Sequence, residues 1–409
     1  MRKVAWLLPS MLEGSGGHRT IIQNASYLTN RNEFTCDIYI EDDGSCRNDN
    51  DLKNLVERYF GRTAGCQFYL GFDLKDSYDL IFATAWYTAK IVRDIPGNAE
   101  KIYFIQDFEA LFNPMGDGYL LACNSYCYGL KPITIGRWLT HKMRTEFNAP
   151  SQYFDFCADK SVYKKLPNVQ RENAICFVYQ PDKPRRCSTI GIEALGIVKY
   201  MRPDVKIYLY GSKQKGNVWF DHTNLEIIPI EKCNELYNKC SVGLCISSSN
   251  PSRIPFEMMA AGLPVVDLYM ENNLYDDPDS GVILAHYTPE SIAEAIIKVL
   301  DDKNLQEQME HAGMEYMKDR DLSKGFEQFY TAVKNIVNHT VPDVAVTDQL
   351  YKKPPIVADV MKQLPTEIVP QDIYMGASSG IIGKLKQCTW LRKNRLVRKI
   401  WRKLKTIFR

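Results

Sequence analysis

At 409 residues and 45% hydrophobic composition the chain is too long for one ordinary domain and can bury two cores with appendages to spare. No eighteen residues run uninterruptedly apolar, which argues against a membrane span; twelve scattered cysteines without the paired short spacings of a zinc site fit a reducing cytoplasm and predict no metal. The net charge of +2 conceals an uneven spread, because residues 373–409 hold eleven Lys or Arg and no Asp or Glu, so the preceding body carries −9.

In chain order, MRKVAWLLPSM lacks a small-residue cleavage site and reads as a first buried strand over 4–9. A glycine loop over 13–17 and a helix over 18–28 follow, with Ile21, Ile22, Ala25 and Leu28 on the apolar face. GSGGHRT, which contains Gly16, Gly17 and His18, puts flexible backbone and a helix start at the end of a strand, a geometry suited to an anion or a sugar and equally to a tight turn. It has neither GxGxxG spacing nor a GK[ST] ending, so nicotinamide binding and ATP hydrolysis are not favoured. Short apolar runs at 36–40, 80–83, 101–105 and 132–135, separated by helical or polar stretches, predict a parallel sheet with crossovers. Gln106, Asp107 and Glu109 come directly after one of these strands and face a crevice. There Asp107 positions an acceptor hydroxyl, takes its proton, or simply caps a helix.

The same grammar restarts after about residue 160, with strands at 174–179, 206–210, 225–228, 243–247 and 264–268 alternating with helices at 190–201, 232–239 and 255–261. Helices at 289–301, 305–320 and 324–338 complete the compact part. Tyr179 closes the first of these strands, and Lys183, Arg185 and Arg186 follow at the mouth of the sheet, where guanidinium groups neutralise a diphosphate unless they are solvated surface. Gly211, in YGSK, ends the next strand beside a base or in a plain turn. The stretch 247–268, SSSNPSRIPFEMMAAGLPVVDL, reads as a loop running through Ser249, Arg253 and Ile254, a short helix, and a buried strand. Pro255 has φ preset for a first helical turn, Gly262 can end the helix left-handed, and Pro264 stops it. Glu257 is the carboxylate at that helix start, beside unpaired N–H groups that attract phosphate.

Prolines between 341 and 372 predict an extended linker packed along the body. Beyond it Trp390, Val397, Trp401, Leu404 and Phe408 recur at helical spacing among Arg392, Arg395, Arg398, Lys399, Arg402, Lys403 and Lys405. Such a basic amphipathic helix suits an anionic membrane surface at about 1 kcal/mol per basic residue. Docking to a partner protein is the alternative, and no nucleic-acid module accompanies the charge.

Together these segments resemble the retaining glycosyltransferases of the GT-B fold, family four, over residues 1–340, on GSGGHRT, SRIPFEMMAAGLPVV and ELYNKCSVGLCIS. The run IQDFEALFNPMGDGYLLACNSYCYGLKPITIG, 105–136, looks like a narrower branch of bacterial rhamnosyltransferases acting in surface polysaccharide assembly. The resemblance implies an α/β chain of GT-B architecture: two Rossmann-like domains facing a cleft, 1–158 for the acceptor and 159–340 for the donor. A proline-containing linker, 341–375, and a basic amphipathic tail, 376–409, complete it. It further implies a metal-independent, retaining hexosyltransferase that needs no cofactor. The substrates would be a nucleoside-diphosphate sugar, dTDP-rhamnose, and a hydroxyl of a lipid-linked glycan such as O-antigen. The protein would be cytoplasmic, peripheral on the inner face of the cell membrane through its tail, with no nucleic-acid partner.

In that family two glutamates eight positions apart flank the donor. Glu257 matches the second, which binds the ribose, while Ser249 stands where the first would contact the sugar. Carried onto this sequence, the catalytic set is Asp107, Arg185 and Arg186. The donor-binding set is Gly16, Gly17, His18, Tyr179, Gly211, Ser249, Arg253, Ile254 and Glu257. Two rival readings stay open: a noncatalytic scaffold tethering a glycan-assembly complex, suggested by Ser249, and a sugar-nucleotide epimerase on the same fold.

Overall fold

A computed structural model describes residues 1–359 apart from 62, 64, 215 and 344, so the predicted amphipathic tail lies outside the described residues. In the first half the chain runs β1 (Arg2–Leu8), α1 (Gly16–Asn30), β2 (Phe34–Ile40), α2 (Asp49–Phe60), β3 (Gln67–Leu70), β4 (Leu80–Ala83), α3 (Trp86–Asp94) and β5 (Glu100–Ile105). It continues through α4 (Asp117–Ser125), β6 (Lys131–Ile135), α5 (Arg137–Phe147) and β7 (Gln152–Phe154). The second half runs β8 (Ala174–Val178), α6 (Ser188–Met201), β9 (Lys206–Tyr210), β10 (Thr223–Asn224), α7 (Ile230–Lys239), β11 (Val242–Leu244) and α8 (Arg253–Ala260). Then come β12 (Val265–Leu268), α9 (Glu271–Leu274), β13 (Val282–Ala285), α10 (Pro289–Asp301), α11 (Lys303–Met317) and α12 (Leu322–Val337).

Both sheets are parallel throughout, with strand orders β3-β2-β1-β4-β5-β6-β7 and β10-β9-β8-β11-β12-β13. Their central strands read as continuous apolar runs because helices cover both faces; β4, β8 and β12 are buried along their whole length. In each sheet the winding reverses once, between β1 and β4 and between β8 and β11. A crevice opens at the strand C-termini of such a switch point, where doubly wound folds receive ligands.

Several elements depart from the sequence expectation. The strand expected at 225–228 is instead the two-residue edge Thr223–Asn224; two further backbone bonds, Leu225 N–H to the Leu209 carbonyl and Gly211 N–H to the Glu226 carbonyl, follow it, and Glu226 then turns left-handed at φ 57°. Short strands β3, β7 and β13 were not anticipated; each is three or four residues long and sits at or near a sheet edge, too short to display a period. Helix α8 starts two residues earlier than expected, capped by Ser252, so Glu257 lies in its second turn rather than at its start. Gly262 does take the left-handed conformation, φ 76°.

The core of the first sheet includes a residue from the far end of the chain. Trp6 stacks on Phe82 at 3.9 Å between ring centroids, and Phe329 of α12 packs against Trp6, Phe82, Phe104 and Phe154. Helix α12, although it follows the second sheet in sequence, thus covers the first; Gln328 also bonds both the backbone N–H and the carboxylate of Asp155. Beyond it Tyr351 is buried, its hydroxyl accepting the Leu284 N–H at 3.1 Å, and Ile356 bridges to Ala285 beside β13.

Candidate functional site at the two switch points

The loop after β1 and the start of α1 stand at the first switch point. Ser15 caps α1 by accepting the His18 N–H, and its hydroxyl lies 2.8 Å from His18 Nδ1. The other ring nitrogen, Nε2, is 3.2 Å from the Pro9 carbonyl, which can only accept, so Nε2 carries the proton and Nδ1 receives the Ser15 hydroxyl. Burial pushes the imidazole pKa below its usual range, against the opposing backbone bonds of Pro9 and Ser10, so His18 is a neutral, locked ring. Gly16 opens onto free space, whereas the Gly17 carbonyl accepts from Gln106 Nε2 at 3.3 Å.

At the second switch point Tyr179 is buried at the end of β8, and Gln180 donates to the Gly211 carbonyl at 3.1 Å. Gly211 has φ 107°, a conformation that excludes most side chains. A 3₁₀ turn, Pro184–Arg186, then presents the basic residues. Its backbone is pinned by Ser248, whose N–H and hydroxyl both donate to the Arg185 carbonyl at 3.0 and 3.2 Å. Arg186 Nη2 donates to Ser252 Oγ at 3.3 Å, while its Nε and Nη1 are buried with no partner. Ser252 also caps α8, so Arg186 sits beside the free amides of that helix. Lys183 joins them, its pKa lowered first by burial and then by both arginines.

The two switch points meet. Asp107, after β5, lies 3.6 Å from Arg185 Nε, and the Arg185 guanidinium covers the Phe112 ring at 4.5 Å. Asn250 donates to the Gln106 carbonyl at 2.8 Å, and the Phe108 N–H donates to the Ser249 carbonyl at 3.4 Å. Arg253 reaches the Thr20 hydroxyl at 3.0 Å and the Cys157 carbonyl at 3.3 Å; Lys213 pairs with Glu13 at 3.6 Å. Burial raises the Asp107 pKa, opposed by the charges of Arg185 and Arg186. Even so, Asp107 Oδ1 and Ser249 Oγ are buried without a partner at hydrogen-bonding geometry. Buried polar groups ordinarily find partners, so this cluster of unmet donors and acceptors marks a place for a polar ligand.

Asp107, Arg185, Arg186, Ser249 and Ile254 therefore gather around one spot. Glu257 is set back by a turn of α8, where burial raises its pKa and Arg253, Tyr163 and Arg19 oppose. Glu109, which the sequence placed at the crevice, instead accepts the Trp86 N–H at 2.6 Å and caps α3; burial pushes its pKa up to about 8. Three contributors escaped the sequence reading: Asn250 inside the SSSNPS loop, Phe112 on Arg185, and Asp267, 1% exposed, with Oδ2 unpartnered and a pKa raised by burial to about 8 that Arg186 opposes. An asparagine preceding a proline after an apolar strand was a legible signal for the first; the other two depended on tertiary contacts. A hollow of about 450 Å³ lies elsewhere, between β7 and α12, lined by Gln152, Tyr153, Gln328 and Asn335 among others.

Solved structures share this arrangement of two sheets. Anabaena Alr3699/HepE in complex with UDP-glucose superposes with a TM-score of 0.65 over 82% of this chain and 100% of that one at 14% identity. WaaG, a glycosyltransferase involved in lipopolysaccharide biosynthesis, gives 0.58 over 81% and 99%, also at 14% identity. The fold is GT-B. Residues 173–297 match the family model described as WsaF, C-terminal domain. The O-antigen biosynthesis protein RfbC of Myxococcus xanthus is 27% identical over 291 residues, 69% of this chain. The chain aligns with 22% of that relative's length.

Proposed function

We propose that the chain is a glycosyltransferase that moves rhamnose from dTDP-rhamnose to a hydroxyl of a lipid-linked bacterial surface glycan, with retention and without a metal. The observation that carries this reading is the pair of partnerless nitrogens on Arg186, buried at a switch point beside the start of α8 and flanked by Arg185 and Lys183. A nucleoside diphosphate offers the anionic oxygens that such a cluster lacks. When the bond from the anomeric carbon to the diphosphate breaks, negative charge remains on the diphosphate. Arg185, Arg186 and the α8 amides stabilise it there. In this reading Glu257 holds the ribose, Ser249 faces the sugar, Gly16, Gly17, His18, Tyr179, Gly211, Arg253 and Ile254 shape the donor pocket, and Asp107 orients the acceptor hydroxyl or takes its proton.

The UDP-glucose complex of HepE supports a nucleotide-sugar donor, and the names of RfbC and WaaG support a place in surface-glycan synthesis. Exposed Leu111, Phe112, Met115, Leu120 and Leu121, on the segment that follows Asp107, support an acceptor with an apolar, lipid part. Membrane attachment through 376–409 on the cytoplasmic face belongs to the same proposal; among the described residues no helix is long and apolar enough to cross a membrane. Purified full-length protein incubated with dTDP-rhamnose or UDP-sugars and a lipid-linked acceptor is expected to release nucleotide and extend the acceptor. No release with any donor, together with no nucleotide binding by calorimetry, overturns the proposal; isomerised donor without acceptor would identify an epimerase instead.

A further inference from the structure

The contact between Asp107 and Arg185 has an odd construction. At 3.6 Å it is an ion pair without a hydrogen bond, and Arg185 Nε and Asp107 Oδ1 are both buried without partners. The Arg185 backbone is held by Ser248 from its own half, while its side chain is clasped by Asp107 and Phe112 from the other. A phosphate oxygen offers the same guanidinium shorter, charge-assisted bonds.

We propose that Asp107 and Arg185 form a donor-operated lock, in which the carboxylate competes with the diphosphate for the guanidinium and is released toward the acceptor hydroxyl only when the donor takes Arg185. The inference rests on the donor-site reading above and adds an order of events to it. A diphosphate on Arg185 brings a second anion beside the half-buried carboxylate, so the two either exchange places or repel each other across one cation. Donor binding is thereby weakened in return for coupling: Asp107 is neutralised by Arg185 until the donor is in place, and afterwards it loses its strongest opposing charge and becomes a better proton acceptor. Asp107 is therefore free to meet an acceptor hydroxyl only after the donor has bound, and the enzyme adds donor first and acceptor second.

The test measures dTDP and UDP affinity on full-length wild type, Asp107→Asn, Arg185→Gln and the double variant, with thymidine and uridine as uncharged controls. Asp107→Asn is nearly isosteric and is expected to tighten both diphosphates by about threefold or more, leave the nucleosides unchanged and abolish transfer. On the Arg185→Gln background the tightening should shrink by at least half. Unchanged or weaker diphosphate binding by an Asp107→Asn protein that melts like wild type overturns the lock while leaving the donor site standing, as does equal tightening with and without Arg185. Wild type that binds neither diphosphate overturns the donor site, and the lock with it.

Discussion

Arg186 shows how a single side chain can carry more function than stability. Among the described residues its one hydrogen-bond partner is Ser252 Oγ, so truncation removes a single bond from the fold. Replacing Arg186 by Gln is therefore expected to weaken dTDP and UDP binding tenfold or more, from about 1.5–3 kcal/mol for a charge-assisted bond, while the melting temperature stays near wild type. A melting loss as large as the binding loss would assign Arg186 to the fold instead. His18 illustrates the opposite case. Because burial lowers its pKa in the folded chain, the unfolded chain takes up the proton first as pH falls. Its contribution to stability is present above the unfolded value, about 6.5, and is lost as pH drops below that. In His18→Gln that loss at the acid end should disappear, so stability at pH 5 relative to pH 7 should be higher than in wild type, and an unaltered difference would contradict the locked neutral ring.

Between elements, the most informative junction is the start of α5. Its cap position, Gly136, has no side chain to offer, and Asp276, following α9 in the second half, accepts the Arg137 and Trp138 N–H groups at 2.7 and 3.0 Å instead. A Cβ on Gly136 would meet Phe156 at 2.5 Å and the Asp276 oxygens at 2.9 Å, in backbone with φ 83°. Asp276→Ala should cost about 1–2 kcal/mol as a lost cap. Gly136→Ala should cost more, because strain and collision add. Chemical denaturation measures both, and a milder effect for Gly136→Ala would refute the close approach. This junction also shows where sequence reading stops. The strands with long apolar runs and the helices with strong faces were legible, and so was the left-handed Gly262. A cap supplied from another half of the chain was not, because nothing local distinguishes Asp276 from a surface aspartate.

Across the whole molecule, three buried carboxyls share one consequence. Burial raises Glu109 and Asp267 to about 8 and Asp276 to about 7, although each accepts at least one backbone N–H. The folded chain thus keeps protons that the unfolded chain releases near pH 4, so stability falls as pH rises from about 5 toward 8. Thermal melts at pH 5.5 and 8 should separate accordingly, and equal melting temperatures would exclude the effect. At the same scale, removing 376–409 is expected to leave the activity of the remaining body intact and to abolish co-sedimentation with anionic liposomes. Retained liposome binding would move the membrane contact elsewhere.

Local periodicity and local stereochemistry were legible in the chain alone: two runs of alternating strands and helices, glycines and prolines that bound α8, and basic residues placed directly after β8. Those features depend on neighbours a few positions apart. Which strand ends stand side by side was not legible there, because the reversal of winding between β1 and β4 and between β8 and β11 depends on pairing among distant segments. That pairing brings Asp107 to Arg185, moves Glu109 out of the crevice to cap α3, sends Phe329 of α12 back into the first core and sets Glu257 a turn behind the helix start. The chemistry of the cleft belongs to contacts between residues far apart in the chain, whose free energy is realised only once both sheets are formed.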